Sequence, residues 1–237
     1  MQLSVATICL ESRSRAEAML SSYRALAEQG LPTVAGDGGS SPGFVREIRR
    51  LGHRVVQPGR GLRGQMEAAL EGAAELGSHV LYVESDKPDF IATQIEPTVA
   101  RYRHRGLDYA VVGRTKAIFE RFPLAQRTME IAESILIGDV LGRPGDWVGG
   151  PAVMPAGHVA TLARSSLYGT DRHGWGVPWY LLGRAHRDQM TIGIIKTGCG
   201  PLASNVDEFN PGYRLLQANS ILGCFHEGAG VAYDWQE

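Results

Sequence analysis

The stretch LYVESDKPDF, residues 81–90, runs an apolar, strand-like segment directly into two acids, a lysine and a proline. On an extended backbone residues i and i+2 point to the same side, so Glu84 and Asp86 can offer two carboxylates to one cation, or to a metal carried by a pyrophosphate. The competing reading is a surface turn, with Pro88 and Asp89 opening the next helix. The segments on either side decide between the two.

Toward the N-terminus, two periods alternate. LSVATICL (3–10) is strand-like, and SRAEAMLSSYRALAEQG (14–30) is helical, with Met19, Tyr23 and Leu26 on one side and Gly30 as its stop. PTVAGD (32–37) is a second strand that closes in GDGGSSPG, followed by a short helix FVREIRRLG (44–52). HRVVQP (53–58) is a third strand, GRGLRG (59–64) a loop rich in glycine and arginine, and QMEAALEGAAELG (65–77) a helix with Met66, Leu70 and Ala73 on one face. SHVLYVE (78–84) then leads back into the opening stretch. This alternation predicts an α/β fold with a mainly parallel sheet covered by helices. In such sheets ligands bind beyond the carboxyl ends of the strands. Asp37, Arg60, Arg63, Glu84 and Asp86 all fall at those ends, which favours a functional reading of the acids over a bare turn.

Toward the C-terminus, FIATQIEPTVARYRHRG reads as a helix that bends or restarts at Pro97. LDYAVVGR (107–114) is a fifth strand. Ala117 to Leu141 reads as a long helix, interrupted near Pro123, with Ile131, Ile135 and Leu136 facing inward. A loop from Gly142 to Gly150 precedes PAVMP, a short strand or edge, and a short helix over 158–167. A helix beginning near Pro178 and a strand MTIGIIKT (190–197) follow. The last forty residues show no clean period, and no internal repeat is present.

Composition narrows the class. A chain of 237 residues can bury a large core and is expected to form one domain. Its 24 basic and 25 acidic residues nearly cancel, which argues against a broad nucleic-acid-binding surface. Cys9, Cys199 and Cys224 are scattered and odd in number, so a reducing cytosol is the default, with peripheral membrane contact left open. No segment reaches the length of a membrane span, and the N-terminal apolar run is too short, and its charges misplaced, for a signal peptide.

The order of these motifs resembles the inverting, family 2-like nucleotide-sugar glycosyltransferases, a group that includes relatives of dolichyl-phosphate mannose synthase, glucosyl-3-phosphoglycerate synthase and mannosylglycerate synthase. Residues 3–115 carry the likeness best, through GDGGS after the second strand, GRGLRGQMEAALEGA after the third and ESD after the fourth; it weakens toward residue 197. No single motif is specific, and order and spacing carry the inference. The resemblance implies a single GT-A-like domain of the nucleotide-diphospho-sugar transferase kind, with a nucleotide-sugar-binding half over 1–115, an acceptor-binding half over 116–200, and a C-terminal lid, interface or tail over 201–237. Three departures stand out. Glu84 replaces the first aspartate of the family's D-x-D element, Gly36-Asp37 replaces two consecutive acids, and no acid stands near Val177 or Pro178.

The site that the resemblance implies is assembled from these loops. Asp86 and Glu84, with His173 as a further ligand, are expected to hold Mg2+ or Mn2+, which would take up charge developing on the leaving diphosphate. Ser85 lies between the two acids. Asp37 and Glu11 are expected near the nucleobase or ribose, although GDGG would equally tie Asp37 to its own turn amides. Arg60, Arg63 and Gly64 suit a diphosphate. On the acceptor side Asp139, Asp146 and Trp147 lie in or near the glycine-rich loop where the family places its acceptor, and Asp139, Asp171 and His173 are candidates for a base. Trp175 and Trp179 could stack on a sugar, and His226 is read as a tail histidine. The donor expected is UDP- or GDP-linked and the acceptor small, soluble or a lipid phosphate; a homo-oligomer is compatible with this reading. A nucleotidyltransferase of similar fold, or a degenerate nucleotide-binding or assembly protein, remains the alternative. A dinucleotide-binding oxidoreductase is disfavoured because no G-x-G-x-x-G follows the first strand.

Overall fold

The apolar runs that alternate with helical periods in the sequence become the strands of one sheet. A computed structural model describes residues 1–57, 61–164, 174–198 and 211–231. In chain order the elements are β1 (Leu3–Cys9), α1 (Ala16–Glu28), β2 (Thr33–Asp37), α2 (Pro42–Arg50), β3 (Arg54–Val56), α3 (Gly61–Ala74), β4 (His79–Tyr82), α4 (Pro88–Thr93) and α5 (Ile95–His104). They continue with β5 (Tyr109–Arg114), α6 (Lys116–Phe119), α7 (Leu124–Val140), β6 (Ala152–Pro155), α8 (Ala156–Val159), a 3₁₀ turn (Ala160–Arg164), α9 (Val177–Arg187), β7 (Ile192–Thr197) and α10 (Pro211–Ala229).

The strands pair in the order β3-β2-β1-β4-β6-β5-β7. All pairings are parallel except those of β6, which runs antiparallel between β4 and β5. PAVMP is therefore a central strand and not an edge. Its reversed direction puts the start of β6, after Gly149-Gly150-Pro151, at the same rim as the carboxyl ends of the parallel strands.

Side chains of the strands alternate between two cores, as the period of two requires. Val80 and Tyr82 of β4 with Tyr109 and Val111 of β5 pack under α3, α8, α9 and α10. Leu81, Ala110 and Val112 face the opposite layer of α1, α2, α4 and α5, where Tyr23, Leu26, Ile48 and Tyr102 are buried. The α1 stripe Met19, Ser22, Tyr23 and Leu26 has the i, i+3, i+4, i+7 spacing of one helix face. Ser41 caps α2 by accepting a hydrogen bond from the Phe44 amide at 3.3 Å.

Four local expectations are corrected. GRGLRG is not loop throughout, because α3 begins at Gly61 and takes Arg63 and Gly64 into its first turn. On α7 the polarity is reversed: Ile131, Ile135 and Leu136 are exposed, while Gln126, Glu133 and Ser134 are buried. The inner face of that helix meets a polar cleft through Gln126, Glu130 and Glu133 and the hydrophobic core only further along, at Ile137, so the usual rule for an amphipathic helix fails over its first three turns. Within the aperiodic C-terminal segment, residues 211–229 form the long helix α10 against α9. Its backbone approaches so closely that a Cβ at Gly228 would lie 2.2 Å from the Tyr180 carbonyl oxygen, and one at Gly183 2.2 Å from that of Phe225. Finally, His226 is buried on α10 rather than solvated, and burial lowers its pKa.

Candidate functional site

A cleft of about 740 Å³ opens at the carboxyl edge of the sheet. One wall comes from the loops after β1 and β4 and from the start of α3, and the other from β5, α7, α9 and α10. This volume lies within the range of small-molecule sites.

The ESD element follows β4 directly. The strand ends at Tyr82, and residues 84–87 form a turn closed by the Lys87 amide donating to the Glu84 carbonyl at 3.3 Å. The extended geometry expected for Glu84 and Asp86 is thus replaced by a turn, yet both carboxylates still line the cleft. Ser85 explains how: its hydroxyl is buried and donates to the Ile8 carbonyl of β1 at 2.7 Å, anchoring the centre of the turn. Each flanking acid has a cationic neighbour. Arg15 Nη1 lies 3.4 Å from Asp86 Oδ2, and Lys87 Nζ bonds Glu84 Oε2. Among the described residues no cluster of three or more His, Cys, Asp or Glu side chains is arranged around a metal position. His173, the third ligand expected, lies outside the described residues, as do Asp171 and Arg60.

Asp37 ends β2 but does not line the cleft. Its Oδ1 accepts from the Ser40 amide at 3.0 Å and its Oδ2 from Gln57 Nε2 at 3.0 Å. Burial pushes its pKa upward, but hydrogen bonds from Ser40, Gln57 and the Gly39 amide outweigh it and hold the carboxyl below its ordinary value. Glu11 lines the cleft and reaches α2, its Oε2 accepting from the Ser41 amide at 2.9 Å. Arg63 Nε donates to Glu67 Oε1 at 2.8 Å along α3, and neither Arg63 nor Gly64 contributes to the lining. The cleft is instead reached by Gly61, Leu62 and Gln65, so the first turn of α3 borders it. Asp139 is exposed on α7 and is not brought to the cleft.

The opposite wall contains residues that sequence reasoning missed. Arg114, at the end of β5, is held by Asp146 at 2.7 and 2.9 Å and by Glu130 at 2.7 Å. Gln126 donates to Glu130 at 2.7 Å and accepts from Arg214 of α10 at 2.9 Å. Burial works against the Arg114 charge, but Asp146 and Glu130 prevail and hold its pKa above the ordinary arginine value. Glu133, one helical turn beyond Glu130, is only 3% exposed, and burial with the nearby Glu130 pushes its pKa up to about 8. The one available signal was the pair of acids on α7 at i and i+3, inside a helix whose apolar residues fell on the other face. Trp175 and Tyr213 meet edge to face at 6.4 Å and line the same cleft. Trp179 is mostly buried, donating to the Trp147 carbonyl at 3.2 Å.

The strand order, the antiparallel β6 and the cleft at the carboxyl rim define a GT-A-like α/β domain. Among solved structures, the chain is similar to glucosyl-3-phosphoglycerate synthase from Mycobacterium tuberculosis. With the complex containing Mn2+, UDP-glucose and phosphoglyceric acid the TM-score is 0.63 at 16% identity, over 98% of this chain and 81% of that one. With the UDP complex it is 0.61 at 17% identity, over 98% and 82%. With the phosphoglyceric acid complex it is 0.62 at 17% identity, over 98% and 81%. At this identity the likeness is one of fold. No protein-family model matches the chain, and no curated protein matches it. Among the described residues no helix is long and apolar enough to cross a membrane.

Proposed function

We propose that the chain is an enzyme that transfers a sugar from a nucleoside diphosphate sugar, UDP- or GDP-linked, to a small acceptor. The observation that carries this reading is the convergence of Glu84, Asp86 and the first turn of α3 on one cleft. A helix N-terminus favours a phosphate group, and the neighbouring carboxylates suit a cation bound to that phosphate. The fold-level neighbours that contain Mn2+ with UDP or UDP-glucose support the same assignment of chemistry.

The oxygen donors fit Mg2+ or Mn2+, since one or two protein carboxylates are enough where phosphates complete the shell. Asp86, with Glu84, would hold the ion, which when bound would neutralise charge on the leaving diphosphate. Ser85 keeps the two acids oriented by its bond to β1. Arg15 and Lys87 balance the carboxylates, and both ion pairs are partly solvated, with side-chain exposures between 15 and 32%. Their displacement by a cation costs little, because exposed pairs are worth about 0–1 kcal/mol. Gly61 and the α3 amides that follow it would receive the diphosphate.

Calorimetric titration with UDP, GDP and ADP, each with and without MnCl2, tests the reading. Manganese-dependent binding of UDP or GDP in preference to ADP is the expected result. Tightest binding of ADP, or no binding by any of the three, would sink it.

A further inference from the structure

The wall opposite the ESD turn contains a buried acid that the local structure leaves unanswered. Glu133 lines the cleft, yet among the described residues it receives no hydrogen bond, whereas Glu130 is bonded by both Arg114 and Gln126. Its carboxyl oxygens are not among the buried polar atoms closed off without a partner, so they open to the cleft, where a ligand hydroxyl can supply the hydrogen bond that no protein group gives. Among the described residues, the cations that act on Glu133 are already engaged. Arg114 is held between Asp146 and Glu130, while Arg214 donates to Gln126 at 2.9 Å and to Gln217 at 2.8 Å. Against Arg114 and Arg214 stand Glu130, Glu133 and Asp146, so this group of side chains has no cationic excess with which to hold a phosphate or a carboxylate ligand. At the mouth, Trp175 and Tyr213 add flat apolar surface that suits the C–H face of a sugar or polyol.

We propose that Gln126, Glu130, Glu133 and Arg214, with Trp175 and Tyr213 at the rim, form the acceptor subsite for a neutral, hydroxyl-rich molecule that donates a hydroxyl hydrogen bond to Glu133. The inference rests on the glycosyl-transfer reading above and narrows its acceptor. It separates this chain from its fold neighbour, whose complexes contain the anion phosphoglyceric acid.

The test uses the full chain loaded with UDP and MnCl2, titrated calorimetrically with glycerol, with glucose and with 3-phosphoglycerate. At least one neutral probe is expected to bind, and to do so about tenfold or more tightly than 3-phosphoglycerate. Glu133→Leu is expected to weaken that binding about tenfold while leaving UDP affinity unchanged and Tm unchanged or raised, since it removes a largely buried carboxyl that no protein group hydrogen-bonds. Glu133→Gln, which keeps hydrogen-bonding capacity, should hold affinity within roughly threefold. A merely structural glutamate would instead lower Tm on substitution by leucine and leave probe binding alone. Tighter binding of 3-phosphoglycerate, binding by neither neutral probe, or neutral-probe binding that Glu133→Leu does not weaken overturns the proposal. If UDP itself fails to bind, the donor reading falls separately. The neutral probes are then titrated against nucleotide-free protein, where binding that Glu133→Leu removes supports the subsite and absence of binding overturns it.

Discussion

On the ESD wall of the cleft, Glu84 and Asp86 face Lys87 and Arg15, and all four side chains keep contact with solvent, at 15 to 32% exposure. On the helical wall, Arg114 and Glu130 pair at 7 and 11% exposure and are joined by Asp146, itself 16% exposed, and by Gln126 and Arg214 into a largely buried network. Both walls have mixed charge, but their energetics differ. A partly solvated pair can exchange one partner for a ligand at little cost, whereas a buried pair that loses one partner leaves an uncompensated charge in the interior. The first arrangement suits a wall that must take up and release a charged donor. The second suits a wall that must hold its shape.

The sharpest way to break this comparison is Arg114→Ala. With Glu130 and Asp146 largely buried and left without their cation, Glu130 keeping only Gln126 and Asp146 only the residue-114 amide, a loss of about 3–5 kcal/mol is expected in urea-induced unfolding. A loss below about 1 kcal/mol would mean the network is no stronger than a surface pair. Next in size is Gly228→Ala, which drives a methyl group into the Tyr180 carbonyl and should destabilise by about 1–3 kcal/mol or separate α10 from α9. Unchanged thermal stability would contradict that close packing.

Asp86→Asn addresses the solvated wall. Manganese-dependent UDP affinity is expected to fall about tenfold, or ~1.4 kcal/mol, with little change in Tm. Calorimetry and a melting curve on the same sample check both halves, and a variant that binds like the wild type would reduce the ESD element to a turn.

A smaller effect is a pH dependence at Glu133. Its folded pKa, raised from 4.5 to about 8 by burial and by Glu130 against the opposing Arg214 and Arg114, lies above that of the unfolded chain. Below the unfolded value both states hold the proton and no penalty arises. Between the two values only the folded state retains it, so the wild type loses stability as pH rises through that window. Glu133→Gln lacks this term, and its advantage over wild type should grow by about 1–2 kcal/mol between pH 5 and 8, allowing for partial solvent access. Parallel melting curves that show a constant offset would exclude it. The smallest effect is expected at Ile135→Lys, within ~0.5 kcal/mol of wild type, because the side chain is 58% exposed. A clear loss of stability, or of sedimentation mass, would mean that this face is covered in solution.

Much of the N-terminal half was legible because its information is local. Strand and helix periods alternate on a scale of ten residues, and acids or glycines close each strand, so β1, β2, β3 and β4 fall within the segments read as strands. The loops at their ends share one rim, because parallel strands joined by helices must all point the same way. Where the reading slipped, a longer-range contact was responsible. Arg63 sits in a helix whose first turn begins two residues earlier, and Asp37 is buried against Gln57 and the Ser40 amide.

By itself the sequence determined the α/β class, the direction of the parallel strands and the rim at which Glu84 and Asp86 emerge. Each of these follows from period and punctuation within one strand–helix unit. Tertiary structure alone decided the opposite wall. The inner face of α7 is polar before Ile137 because it borders a cleft there, so Glu130 and Glu133 stand where a periodicity argument expects core and Ile131 and Ile135 where it expects solvent-facing polar groups. Gly228, which reads as a stop near the end of α10, is small because the α9 backbone lies against it, not because the chain turns there. Arg114, Asp146 and Arg214 are far apart along the chain and meet only when β5, the loop before β6 and α10 are brought together. A network of that kind has no sequence period, since its partners are chosen by packing across the fold and not by spacing along it.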